Sequence, residues 1–281
     1  MNAAAAGYLP AMAPASSTHH SSRPLAAVTG VSSGIGLELA VQLAERGYDV
    51  IVGAEDTALQ DAADRVRQCG AEVRTVQCDL REARGVAEMY GAIAADRRPL
   101  DVLALNAGIG AGGAFLDNEL ADELAIIDLN IVSTVRLAKL VLRDMAAQGA
   151  GRVLVTSSIV SEMPGPYHAV YNASKSFLQS FAEALQEELR DSGVTLTSLM
   201  PGPTDTEFFA RAGMLDTAIG QGPKDDPADV ARQGIEALLS GDSRVTGGGL
   251  KTRVQDIAAK VTPDKVKAVL HRGLAEPCSG D

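Results

Sequence analysis

Positive charge is in short supply: 25 lysines and arginines face 36 aspartates and glutamates, a formal net charge of -11. Nucleic acid is thereby excluded as the main partner, because phosphate contacts draw on clustered Lys and Arg. Cysteine is scarce too. Cys69, Cys78 and Cys278 are too few and too scattered for a disulfide scaffold or a zinc site, and their odd number suits a reducing compartment, so a cytoplasmic location is expected. The histidines, His19, His20, His168 and His271, lie far apart outside the tail pair, and no metal site is expected. No apolar run reaches the roughly 18 residues that suggest a membrane span. Residues 1–23 are Ala/Ser/Pro-rich with no basic-then-apolar leader, and read as a disordered extension. Aromatic content is low and tryptophan is absent.

What the chain does have is alternation. Short segments at 25–29, 49–53, 72–77, 100–105, 152–156 and 194–200, with a shorter one at 244–246, read as strands, and helical patterns separate them. This predicts one α/β domain over residues 24–249: a doubly wound Rossmann fold with a mostly parallel seven-stranded sheet, helices on both faces and the ligand at the strands' carboxyl ends. Residues 117–147 read as one long helix, and 250–281 as a C-terminal extension of two amphipathic helices split at Thr262-Pro263. Its basic residues could meet an anionic membrane surface, or its apolar stripe could pack on the domain.

The first run ends in Thr29-Gly30-Val31-Ser32-Ser33-Gly34-Ile35-Gly36 and a helical pattern follows at once. Strand, glycine turn and helix aim backbone N–H groups and a positive helix end at a phosphate. Glycines permit the close approach that a Cβ would block. A second glycine run, Gly108 to Gly113, leads into no helix and its spacing is incidental. Nineteen residues beyond Gly36, Glu55 stands where an acid accepts from the ribose 2′-OH of NAD, although it could equally begin the next helix.

Tyr171 and Lys175 sit four apart, which places both on one helix face. A phenol is a poor acid/base at neutral pH, and a neighbouring ammonium is expected to lower its pKa. Ser158 precedes Tyr171 by thirteen residues, so a strand end and a helix start can bring both hydroxyls to one substrate oxygen.

Ser158 with Tyr171-x-x-x-Lys175, the Thr29–Gly36 spacing and Asn106-Ala107-Gly108 together resemble the classical short-chain dehydrogenase/reductase family over about residues 24–247. The resemblance implies a nicotinamide-dependent oxidoreductase acting on a carbonyl or secondary alcohol. It makes Ser158, Tyr171, Lys175 and Asn130 catalytic, Asn130 through a water linked to Lys175. It assigns the cofactor to Thr29, Gly30, Ser32, Ser33, Gly34, Ile35, Gly36, Glu55, Asp79, Leu80, Asn106, Ala107, Gly108, Tyr171, Lys175, Pro201, Gly202 and Thr204. Relatives that use NADP carry basic residues where this chain has Glu55 and Ser33, which favours NAD and leaves NADP possible.

The residues flanking the site, Ile159, Met163, Tyr167, Phe208 and Phe209, with Met214, suggest a small apolar carbonyl or alcohol substrate. Two readings compete: a 3-oxoacyl-thioester reductase, which needs a basic group at the mouth such as Lys224, and a catalytically idle nucleotide-binding or scaffold protein. Excess apolar positions on the helices containing Leu124 and Leu178 predict a homodimer or homotetramer.

Overall fold

The computed structural model describes residues 22–250, 252, 254 and 262–277. Its strands are β1 (Leu25–Thr29), β2 (Asp49–Ala54), β3 (Val73–Gln77), β4 (Leu100–Leu105), β5 (Gly151–Thr156), β6 (Val194–Pro201) and β7 (Arg244–Gly247). They make one sheet in the order β3-β2-β1-β4-β5-β6-β7, parallel at every pairing and not merely for the most part. The winding reverses between β1 and β4, which opens a crevice at their carboxyl ends.

Parallel strands need crossovers, and helices supply them on both faces. The period of two along β1 shows how. Ala26 and Val28 join one core with residues of α1 (Gly34–Glu45), α2 (Leu59–Arg67) and α9 (Pro227–Ser240), among them Leu39, Val66 and Ile235. Leu25 and Ala27 face the other way, into a core with Met89 of α3 (Ala83–Ala95), Val141 of α5 (Thr134–Gln148) and Leu178 of α6 (Ala169–Glu188). The ends are set locally: Asp226 accepts from Ala228 N–H ahead of Pro227, while Gly149 and Gly241 take left-handed φ of 71° and 79° to stop α5 and α9.

The helix expected over 117–147 is in three parts. α4 (Leu120–Ile126) runs into a π-helical stretch, Ile127–Ser133, and then α5. The widened turn carries Asn130, fully buried, and its side-chain amide explains the distortion. Oδ1 accepts from Ile109 N–H and Nδ2 donates to Ile109 C=O, both at 2.9 Å. The side chain thus pairs with the backbone of a loop that has no strand partner, a need that outweighs regular helix geometry.

Two short helices, α7 (Phe208–Arg211) and α8 (Ala218–Gln221), follow β6. The last described element is α10 (Asp264–Ala275), which starts directly after Pro263. The amphipathic helix expected just before Thr262 and residues 1–21 of the extension expected over 1–23 lie outside the described residues, apart from scattered positions, while Arg23 at its end donates to Gly47 C=O at 2.9 Å. No helix among the described residues is long and apolar enough to cross a membrane.

Candidate active site

A cavity of about 930 Å³ lies over the carboxyl ends of the strands. Its first end is built by the turn after β1. Gly30 and Gly34 have φ of +73° and +57°, a conformation that side chains resist, and a Cβ at Gly36 would overlap the carbonyl oxygen of Gly30. These glycines leave the first N–H groups of α1 facing the cavity, where helix geometry leaves them without internal acceptors. Gly30, Ser32, Ser33, Gly34, Ile35, Gly36, Asp79, Leu80, Asn106, Ala107 and Gly108 all line this end.

Thr29 does not. It is buried beneath the turn, and its Oγ1 accepts from Asn106 N–H (3.0 Å) and Ala107 N–H (3.1 Å), so it ties the ends of β1 and β4 together and supports the site from below. Asn106 continues the tie, its Oδ1 accepting from Thr156 Oγ1 at 3.1 Å.

Glu55 lines the cavity but is not a free acid. Arg81 donates to its Oε2 at 2.7 Å and simultaneously grips both oxygens of Asp79, at 2.8–3.0 Å. The Arg81 contact holds the Asp79 carboxyl below its ordinary pKa. Arg81 was not expected from the sequence. Only the neighbouring Asp79 could have pointed to it, because the meeting of Arg81 with Glu55 depends on β2 and β3 being adjacent.

At the opposite end β5 delivers Ser158 and α6 delivers Tyr171 and Lys175. Ser158 Oγ donates to Pro201 C=O (3.3 Å) and lines the same cavity as Tyr171. Lys175, 4 % exposed, donates through Nζ to Thr156 C=O at 2.9 Å, with Nζ 5.7 Å from the centre of the Tyr171 ring. Burial pushes the Tyr171 phenol up, Ser158 offsetting part of this, and pulls Lys175 down to about 8. This is opposite to the lowering expected for Tyr171 from the neighbouring ammonium. Desolvation dominates, and the Lys175 ammonium is directed at a carbonyl instead of the phenol. Asn130 is turned away from the cavity, holding Ile109 and Ser174 Oγ (2.9 Å).

Pro201, Gly202 and Thr204 border the same end, Thr204 Oγ1 donating to Gly202 C=O at 2.9 Å. Ile159, Met163, Phe208 and Phe209 line the cavity, with Phe208 packed 5.1 Å from the Tyr171 ring. Tyr167 is displaced from it: its φ is +63°, and its hydroxyl donates to Glu276 at 2.6 Å. Met214 is buried with Phe209 in a separate small cluster. The glycine run at 108–113 also has a function in packing, since Cβ atoms at Gly110 and Gly112 would crowd Phe208 and Met214. No local pattern indicates that α10 reaches the site, yet Lys267, Leu270, His271 and Leu274 line it along with His168. No cluster of metal-binding side chains occurs among the described residues.

A sequence profile described as short chain dehydrogenase matches residues 24–214. The human 17-beta-hydroxysteroid dehydrogenase type 1 is 36% identical over 197 residues, covering 67% of this chain and 59% of that enzyme, so the chain spans less than two thirds of that relative. The ketoacyl reductase HetN of Nostoc sp. is 28% identical over 224 residues, covering 78% and 76% of the two chains. Among solved structures, a short-chain dehydrogenase from Sphingobium yanoikuyae in complex with NADPH superposes with a TM-score of 0.75 at 26% identity, covering 84% of this chain and 93% of that one.

Proposed function

The chain belongs to the short-chain dehydrogenase family and carries its NAD(P)-dependent oxidoreductase domain, and on that premise we propose that it interconverts an apolar ketone and the corresponding secondary alcohol. The observation that carries this reading is the convergence of Ser158, Tyr171 and Lys175 at the end of the cavity lined by Ile159, Met163 and Phe208. Consumption of NADH or NADPH with a panel of apolar ketones tests it directly. Absence of turnover across the panel would leave the idle binding protein as the better reading.

The residues present fit a nicotinamide dinucleotide: the glycine cradle meets its pyrophosphate, and when bound it supplies the hydride acceptor or donor. Ser158 and Tyr171 hydrogen-bond the substrate oxygen, and Tyr171 gives up its proton in reduction or takes one in oxidation. Lys175 would hold the ribose hydroxyls, and its charge, 5.7 Å from the ring centre, favours the phenolate without bonding to it. Asn130 acts at a distance, fixing the loop at Ile109 that faces the substrate. Lys224, the basic group considered for the thioester alternative, donates to Gly220 C=O at 2.6 Å and lies against Phe209.

NAD remains the favoured cofactor, for a reason that includes Arg81. Two carboxylates, Asp79 and Glu55, hold its guanidinium, so a 2′-phosphate must compete with both. Titration should show tighter binding of NADH than NADPH, and Glu55→Gln, which frees one side of Arg81, should narrow the difference. A starting preference for NADPH would show that Arg81 already serves the phosphate.

A homodimer is proposed through the outer faces of α4, α5 and α6. Leu124 is 48% exposed and Phe177, stacked on Phe181, is 39% exposed. An apolar surface of this kind usually meets another chain. Light scattering at micromolar concentration should give at least twice the chain mass, and a monomeric mass would refute the pairing.

A further inference from the structure

Three buried side-chain atoms among the described residues have no hydrogen-bond partner, and all three belong to one segment: Ser161 Oγ, His168 Nε2 and Asn172 Oδ1. Buried polar groups are nearly always paired, so an orphan on a cavity wall points to a group that pairs with it when bound. His168 is the one of the three on the cavity wall. It is 5% exposed, its ring lies edge-on to Tyr171 with centroids 5.6 Å apart, and Nε2 faces Gly112, where a Cβ would stand 3.6 Å away.

The surroundings of His168 are built, and α10 builds them. His271 Nδ1 donates to Pro166 C=O at 3.2 Å, which leaves its Nε2 to accept from the Asn172 amide at 3.4 Å. Lys267 donates to Glu162 C=O at 2.8 Å, and Glu276 takes the Tyr167 hydroxyl. Two attachments from α10 and one from Glu276 just past its end thus fix the loop at 162–167 that leads into His168. Gly165 has to be glycine for this, since any Cβ there would overlap Asn172. All of α10 lies beyond residue 214, where the family profile ends.

Resting on the ketone/alcohol reading above, we propose that His168 is a specificity-determining residue: it takes a second, uncharged oxygen of the substrate, so the enzyme selects a hydroxyketone or diketone over a plain ketone of the same skeleton. Burial and the facing His271 ring keep His168 neutral, with its pKa pushed down to about 4. A neutral imidazole offers one N–H and one lone pair, which suits a hydroxyl or carbonyl and gives no charge to hold a carboxylate. Ile159, Phe208 and Leu270 beside it offer an oxygen no hydrogen bond, while Lys267 and His271 on the same wall are already engaged by Glu162 C=O and the Asn172 amide.

The test compares kcat/KM for 2-decalone and a series of its ring-hydroxylated forms. The unmodified enzyme should favour at least one hydroxydecalone by roughly tenfold, the upper range for a hydrogen bond between neutral groups. In His168→Phe, which keeps a ring against Tyr171, that ratio should fall to near one, and His168→Gln should restore part of it. NADH titration of each variant establishes that it is folded. Turnover of decalones with no preference in the unmodified enzyme, or a preference that survives in His168→Phe, would overturn the inference while leaving the oxidoreductase reading intact. No turnover of any decalone, together with failure on the wider ketone panel, would overturn the reading on which it rests.

Discussion

Tyr171→Phe should lower ketone turnover by roughly a hundredfold or more, the lower range for loss of a general acid/base, while NADH affinity stays close to its original value. The substitution removes one oxygen and keeps the ring that packs against Phe208 and His168. The residues placed to hold the cofactor lie mainly on the β1 turn, the β4 loop and Lys175, none of which depends on the phenol oxygen. Steady-state rates and a fluorescence titration on the same preparation separate the two effects. Undiminished turnover would rule out the proton transfer assigned to Tyr171. The same chemistry sets the pH dependence. Burial raises the phenol, so the acid needed for reduction persists through neutral pH, and reduction should fall only above about 8, where Lys175 loses its proton. Oxidation needs the phenolate beside a protonated Lys175, so it should rise up to about 8 and level off above that.

Gly36→Ala is the second large effect, and it acts at the other end of the cavity. The added methyl would overlap Gly30 C=O and press on the Asn106 amide, which are backbone and a tethered side chain with little freedom to yield. Overpacking of this kind costs about 1–3 kcal/mol. Here the strain is relieved by tilting the start of α1 away from the turn, which moves the N–H groups presented to the pyrophosphate. Loss of one or two such bonds corresponds to a drop in cofactor affinity of roughly tenfold or more. A thermal melt and an NADH titration should therefore both change, in contrast to Tyr171→Phe. Unaltered NADH affinity in Gly36→Ala would show that the cofactor does not lie on this turn.

What could be read from the sequence was whatever depends on neighbours along the chain. The inner strands were legible because both faces of the sheet are covered there, which makes runs such as Leu25–Thr29 and Leu100–Leu105 largely apolar, and Tyr171 and Lys175 because one helix fixes their relation. Contacts across the chain were not. The Glu55–Arg81 pair forms only because β2 and β3 lie side by side, and Tyr167 left the cavity because Glu276, more than a hundred residues on, takes its hydroxyl. The π-helical turn at Asn130 was hidden for the same reason, its cause being Ile109 in another segment. The position of α10 over the site follows from no local pattern. An amphipathic helix announces that it will pack, without saying where.

The docking of α10 has a consequence for biosynthesis. During translation the chain emerges from its amino end, and β1 to β4, which carry the dinucleotide turn, are contiguous in the sheet and complete by Leu105. The proton-transfer pair follows with α6. The substrate wall comes later, because Lys267, His271 and Glu276 follow the loop they clamp by about a hundred residues. A nascent chain can therefore gain a nucleotide site well before it gains selectivity, and premature termination after β7 would release a protein able to hold cofactor but with an unfinished substrate wall.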